Sequence, residues 1–163
     1  MQFKQLFRRR TEPRRQRVLA VASGGGHWVQ LQRLMAAMDG HDITFVTTLE
    51  SYREEVPDSA RFYCVRDASR WNKFGLLRMA IQLSVIVLRE QPDIVISTGA
   101  AAGYFCLRLT KLLGGRTIWV DSLANADCMS LSGQRIGRHA DLWLTQWPHL
   151  ARPEGPFYQG AVL

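Results

Sequence analysis

Residues 17–34 read RVLAVASGGGHWVQLQRL. An apolar run from Arg17 to Ala22 gives way to three glycines and a histidine. Apolar residues then recur at Val29, Leu31, Leu34, Met35 and Met38 until Gly40 stops the pattern. The first run has the character of a buried strand and the second the period of a helix. In an α/β sheet, such a glycine-bearing turn is where anions bind. Glycine lets the backbone approach closely, and the helix start offers free N–H groups and the positive end of its dipole.

The alternation continues along the chain. DITFVT from Asp42 and RFYCVR from Arg61 read as strands, and Trp71 to Glu90 as a long apolar helix ended by Pro92. DIVIST from Asp93 is a further strand, followed by the turn GAAAG and a helix through Leu113. RTIWVD from Arg116 and DLWLTQ from Asp141 complete the set. Strands alternating with helices predict a Rossmann-like α/β domain over residues 17–163, a parallel sheet with helices on both faces. Ser122 to His139 is the least regular stretch, and no second domain or repeat is visible.

The charge is uneven. Of 21 Lys and Arg against 14 Asp and Glu, seven basic residues and one acid fall within residues 1–17, giving +6 there and leaving +1 for the rest. A basic arm over residues 1–16 suits an anionic membrane surface better than a nucleic-acid-binding fold, which carries its basic residues on the folded surface. Phe3, Leu6 and Phe7 lie at helical spacing before Arg8, Arg9 and Arg10, a short amphipathic element able to dip into headgroups. A solvated tail is the plain alternative. The 15-residue stretch from Phe74 to Leu88 is too short to cross a bilayer. It reads as buried core, or as a helix resting one face, with Trp71, Phe74 and Leu77, on the membrane while Lys73 and Arg78 meet headgroups. The expected location is the cytoplasmic face of a membrane, peripheral or monotopic. Cys64, Cys106 and Cys128 share no disulfide or metal spacing and read as free thiols.

The loop from Ser23 through Gly24, Gly25 and Gly26 to His27 is not a Walker loop, since no Gly-Lys-Ser/Thr follows. Nor does it complete a dinucleotide fingerprint, because Val29 occupies the third glycine's place. It serves either another phosphate or tight strand–helix packing. A second small-residue turn, with Thr98, Gly99 and Gly103, follows a strand in the same way, and the strand from Arg116 delivers Asp121 to the same edge. His27 could act as a general base or as a donor to phosphate, and Asp121 could take a proton from, or orient, a sugar hydroxyl. Trp119 and Trp143 alternate along strands and read as structural. Trp147 is placed at a partner surface, and His41, His139 and His149 at the surface or at helix ends.

SGGGHWVQLQRL, DIVISTGAAAG, TIWVDSLANADCMSLSG, ADLWLTQWPHL and FYQGAVL together resemble the Alg14/PssD family over nearly the whole folded chain. These are acceptor-binding, membrane-associated subunits of two-part glycosyltransferases. They are similar to the N-terminal half of a GT-B enzyme such as MurG, and the UDP-sugar-binding half is a separate polypeptide. The resemblance implies a polyprenyl-pyrophosphate-linked sugar acceptor whose pyrophosphate meets Ser23, Gly24, Gly25, Gly26, Thr98, Gly99 and Gly103, with His27 and Asp121 near the acceptor hydroxyl. It implies docking of the donor-binding subunit by the tail that carries Phe157, Tyr158 and Gly160. It implies neither a cofactor nor a metal. Two rival expectations are a nucleotide-binding regulatory domain and a non-catalytic activator of a separately competent transferase.

Overall fold

Alternation of side chains along β1 (Arg17–Val21) sets up two cores. The computed structural model describes residues 15–68 and 71–162. Val18, Ala20 and Ala22 face one side of the sheet with Trp28 and Leu31, which belong to α1 (Gly26–Arg33). Leu19 and Val21 face the other, against α2 (Lys73–Glu90) and α3 (Ala100–Leu112). A strand covered on both faces reads as a continuous apolar run, which is why RVLAVA shows no polar alternation.

The remaining strands are β2 (Asp42–Thr47), β3 (Arg61–Cys64), β4 (Ile94–Ser97), β5 (Arg116–Val120), β6 (Leu142–Thr145) and β7 (Phe157–Tyr158). All pair in parallel, in the order β3-β2-β1-β4-β5-β6-β7. This is the Rossmann-like sheet with helices on both faces that the sequence predicts. The expected first helix is shorter than its pattern: α1 ends at Arg33, and Met35–Met38 form a 3₁₀ turn. A short helix, α4 (Leu131–Ile136), lies within the stretch read as irregular, and β7 is a further addition.

Of the two readings of the Phe74–Leu88 helix, the wholly buried one is corrected. Asn72 caps α2 by accepting from the Gly75 amide (2.8 Å). Met79, Leu83, Ile86 and Val87 enter the core. Phe74, Leu77, Ile81, Val85 and Leu88, with Trp71 just before the helix, form a second apolar face that is 55–82% exposed. α2 packs on the sheet and α3 on one side only, so among the described residues half of its apolar surface has no layer over it. Among the described residues no helix is long and apolar enough to cross a membrane. Phe3, Leu6, Phe7, Arg8, Arg9 and Arg10 lie outside the described residues.

Candidate functional site

Strand order reverses between β1 and β4, so the loops after these two strands leave in opposite directions and open a crevice at the carboxyl edge, where doubly wound sheets bind ligands. The two loops are fastened to each other through His27. The Thr98 hydroxyl, fully buried, donates to the His27 carbonyl (2.6 Å). The His27 ring lies against Gly99, where a Cβ would fall 2.5 Å from Cε1. Gly99 also has φ 144°, in the region that favours glycine.

A cleft of about 430 Å³ opens beside this junction, lined by Gly26, His27 and Ala100 on one side and by Ser122, Asn125 and Ser130 on the other. His27 Nδ1 is buried and has no hydrogen-bond partner among the described residues. Burial lowers the imidazole pKa below its ordinary value, and a hydrogen bond with the Thr98 backbone and the charge of Asp121 offset part of that shift. Burial thus favours the uncharged form of the ring.

The glycine loop divides its labour. The Gly24 amide donates to Thr48 Oγ1 (3.1 Å) and the Gly25 amide to the Tyr52 hydroxyl (2.9 Å). Tyr52 in turn stacks on Trp28 with ring centroids 4.7 Å apart. Those two amides are engaged inside the fold, and Ser23 is half-buried ahead of them. The free donors are the first-turn amides of α1, from Gly26 and His27, since a helix leaves its first N–H groups without intrahelical partners. Neither α1 nor α3 has a side-chain cap, and both begin at the cleft, at Gly26 and Ala100.

Gly103 lies elsewhere. A Cβ there would fall 1.9 Å from Ser97 Oγ and 3.2 Å from the Trp119 ring, so this glycine is the contact between α3 and β4 rather than part of the cleft wall.

Asp121, only 2% exposed, follows β5. Its Oδ1 accepts from Trp119 Nε1 (3.0 Å) and the Ser130 hydroxyl (2.5 Å), and its Oδ2 from the Ser130 amide (2.8 Å) and Asn125 Nδ2 (3.2 Å). Four donors occupy the carboxylate, and Gly133 packs against it so closely that a Cβ would fall 2.6 Å from Oδ1. The side chain thus pins both ends of the 122–130 loop. Trp147 and His149 brace the same loop, through Nε1 to the Leu123 carbonyl (2.9 Å) and Nε2 to the Ala126 carbonyl (2.7 Å). Phe157 and Tyr158 are exposed on the edge strand β7, and Gly160 lies in a tail lining a hollow with Leu34, Val120 and Leu144.

The sequence reading passes over two buried glutamines, Gln30 and Gln146, which join the loops behind the cleft. Gln30 stands near Gln32 and Arg33, and Gln146 follows Thr145, so nothing in the sequence sets the two glutamines apart from their neighbours.

A somewhat larger hollow, about 470 Å³, lies at the opposite edge of the sheet, lined by residues including Arg17, Leu88, Pro92 and Leu113. Its Arg17 is ion-paired with Asp93 (3.2 Å). None of the residues that gather around His27 reaches it.

No family model matches the sequence. Over 72 residues the chain is 35% identical to the UDP-N-acetylglucosamine transferase subunit ALG14 of Yarrowia lipolytica, a stretch covering 40% of this chain and 33% of that protein. The fold matches MurG of Acinetobacter baumannii with a TM-score of 0.70 at 14% identity, covering 90% of this chain and 45% of MurG. It matches the UDP-N-acetylglucosamine 2-epimerase of Rickettsia bellii with a TM-score of 0.68 at 15% identity, covering 91% and 45%. The chain thus spans less than half the length of each of these relatives. The sequence resembles ALG14 over that stretch, and the architecture is the Rossmann-like fold of the matched halves of MurG and the epimerase.

Proposed function

We propose that this ALG14-like chain, folded as the N-terminal-type half of a GT-B enzyme, is the acceptor-binding subunit of a two-part UDP-sugar glycosyltransferase that extends a lipid-pyrophosphate-linked sugar. The observation that carries this reading is the meeting of two uncapped helix starts and a histidine with a buried, unpartnered ring nitrogen at one cleft. Free N–H groups at Gly26, His27 and Ala100 suit a pyrophosphate, since each helix start adds the positive end of its dipole.

His27 is the general base of this scheme. The acceptor hydroxyl gives its proton to the imidazole as its oxygen attacks the anomeric carbon. The bond from that carbon to UDP breaks with its electron pair on the leaving phosphate, where the partner's groups meet the charge. Base assistance of this kind contributes about 10²–10⁴-fold. Asp121, with four donors already on its carboxylate, serves by holding the 122–130 loop against the acceptor sugar rather than by taking the proton.

The exposed face of α2 supports membrane association. Residues 71, 74, 77, 81, 85 and 88 follow the helical repeat over about 25 Å. Lys73, Arg78 and Arg89 flank the face, while Glu90, the helix's one carboxylate, is ion-paired with Arg61 (2.7 Å). An apolar stripe with basic flanks suits an anionic bilayer surface, and the basic arm adds to the same attraction. The tail with Phe157 and Tyr158 is the surface for the donor-binding subunit.

Co-expression with a candidate donor-binding half, assayed with UDP-sugar and a lipid-pyrophosphate-linked sugar, tests the reading. Transfer by the pair and by neither chain alone is expected. Transfer by the partner alone would make this chain an accessory, and tight nucleotide binding by the isolated chain would favour a regulatory domain.

A further inference from the structure

A chain of buried amides runs from the C-terminal tail to the glycine loop. The Val162 amide donates to Gln146 Oε1 (2.9 Å). Gln146 Nε2 donates to Gln30 Oε1 (2.6 Å) and to the Asp121 carbonyl (2.8 Å). Gln30 Oε1 also accepts from the Leu123 amide (3.1 Å), and its Nε2 donates to Ser122 Oγ (3.0 Å) and the Gly26 carbonyl (3.1 Å). Gln30 is 6% exposed and Gln146 3%.

The direction of this chain is fixed. The Leu123 N–H must meet an oxygen, which sets Gln30 Oε1 toward β6 and Nε2 toward Gly26 and Ser122. Gln146 must then donate to Gln30, which leaves its own oxygen for the Val162 N–H. Reversing either amide would set donor against donor at buried positions, where an unmade hydrogen bond is costly. The tail is otherwise held by an exposed bond from Arg33 Nη1 to the Val162 carbonyl (2.9 Å) and by its packing near Leu34 and Leu144.

We propose that Gln30 and Gln146 are positioning residues that transmit the seating of the C-terminal tail to Gly26 and to the Ser122–Leu123 end of the cleft. Removing the Val162 donor releases the Gln146 oxygen, and with it the one constraint on that amide that the described residues supply from outside the cleft. Both ends of the cleft then loosen together, because Gln30 holds Gly26 and Ser122 through the same nitrogen. The functional meaning rests on the reading above: a partner that seats the tail sets the acceptor cleft, which ties transfer to assembly.

Hydrogen exchange on the full chain tests the coupling without partner or substrate. Val162→Pro removes the tail N–H, and Val162→Ala, which keeps it, controls for the side chain lost from the hollow beside Leu34 and Leu144. Gln146→Leu removes the middle link. Val162→Pro and Gln146→Leu are each expected to speed exchange at the hydrogen-bonded amides of residues 29–31 and 123–124 about 5- to 10-fold, while β1 and β2 amides keep their rates. The double variant should exchange no faster there than Gln146→Leu alone, since both act through one chain. Acceleration confined to residues 159–162, or effects that multiply in the double variant, would overturn the proposal. If Gln146→Leu fails to fold, Val162→Pro decides alone. In the paired enzyme, Val162→Pro should raise the acceptor KM more than it lowers kcat. A pair with no transfer counts against the proposed function, while the coupling stands or falls on exchange.

Discussion

The ring of His27 fills the space that any side chain at residue 99 would need, with Cε1 2.5 Å and Nδ1 2.6 Å from the position of a Cβ. Gly99→Ala therefore has to displace the imidazole and also place alanine at φ 144°. Backbone strain of this type costs about 1–3 kcal/mol, which lowers Tm by roughly 2–12 °C for a domain of this size. Transfer by the paired enzyme should fall at least about 10²-fold, the lower end of general-base assistance. Gly26→Ala is the matched comparison. The nearest atom to its Cβ is Gln30 Nε2 at 3.9 Å and the residue is helical, so Tm should hold or rise slightly. Equal losses from the two variants would remove His27–Gly99 packing from the account.

The lowered pKa of His27 gives a pH dependence with a definite sign. Burial depresses the folded-state value, so below about pH 6.5 the unfolded chain binds a proton that the folded chain does not. This site's contribution to stability is therefore constant above that pH and falls as pH drops toward the depressed value. If His27 is the base, it stays unprotonated over the same interval, and the acidic limb of kcat/KM should have its midpoint below 6.5. An acidic limb that survives unchanged in His27→Ala would assign the base elsewhere.

Asp121→Asn separates a loop-holding carboxylate from a proton acceptor. The new amide turns an NH₂ toward donors such as the Ser130 amide, and the buried mismatch costs about 1–3 kcal/mol. Urea unfolding should show that loss. In the paired enzyme the acceptor KM should rise while the acidic limb of the pH profile keeps its midpoint. Loss of that limb with unchanged stability would make Asp121 the base.

Much of the architecture is legible in the sequence because strands buried on both faces appear as unbroken apolar runs, and their glycine turns mark the ligand edge. β7 is not legible, being two residues long after Gly155 and Pro156. The site divides in the same manner. His27, Gly26 and Gly99 stand at turns and can be picked out. The engagement of the Gly24 and Gly25 amides depends on Thr48 and Tyr52, which reach them from the next loop. Gln30 and Gln146 are 116 residues apart and meet only through the sheet order. Gly103 shows the limit of composition, since a glycine for close packing and one for ligand approach look alike.

Thiol labelling offers a direct check on burial. Cys106 is fully buried on the α3 face, and burial pushes its pKa up to about 12, so it presents no thiolate at neutral pH. Cys64 and Cys128 are exposed. Native protein at pH 8 should react at two thiols, with the third released only by denaturant. Rapid labelling of Cys106 would mean that α3 does not seat on the sheet as described.

Membrane attachment by the α2 face and by the basic arm can be told apart with salt. The arm's attraction is electrostatic, about 1 kcal/mol for each Lys or Arg near an anionic surface. Raising ionic strength from about 0.1 M to 1 M shortens the screening length from about 10 Å to 3 Å and removes most of it. A membrane contact made by Phe74, Leu77, Ile81, Val85 and Leu88 would be apolar and would not weaken with salt. Co-sedimentation of the full chain with vesicles containing phosphatidylserine should therefore show a salt-sensitive and a salt-resistant part. The double substitution Ile81→Asp, Val85→Asp should abolish the resistant part. Both side chains are more than half exposed, so the fold and its Tm should change little. Binding of that variant at high salt as tight as that of the native chain would take the α2 face off the membrane.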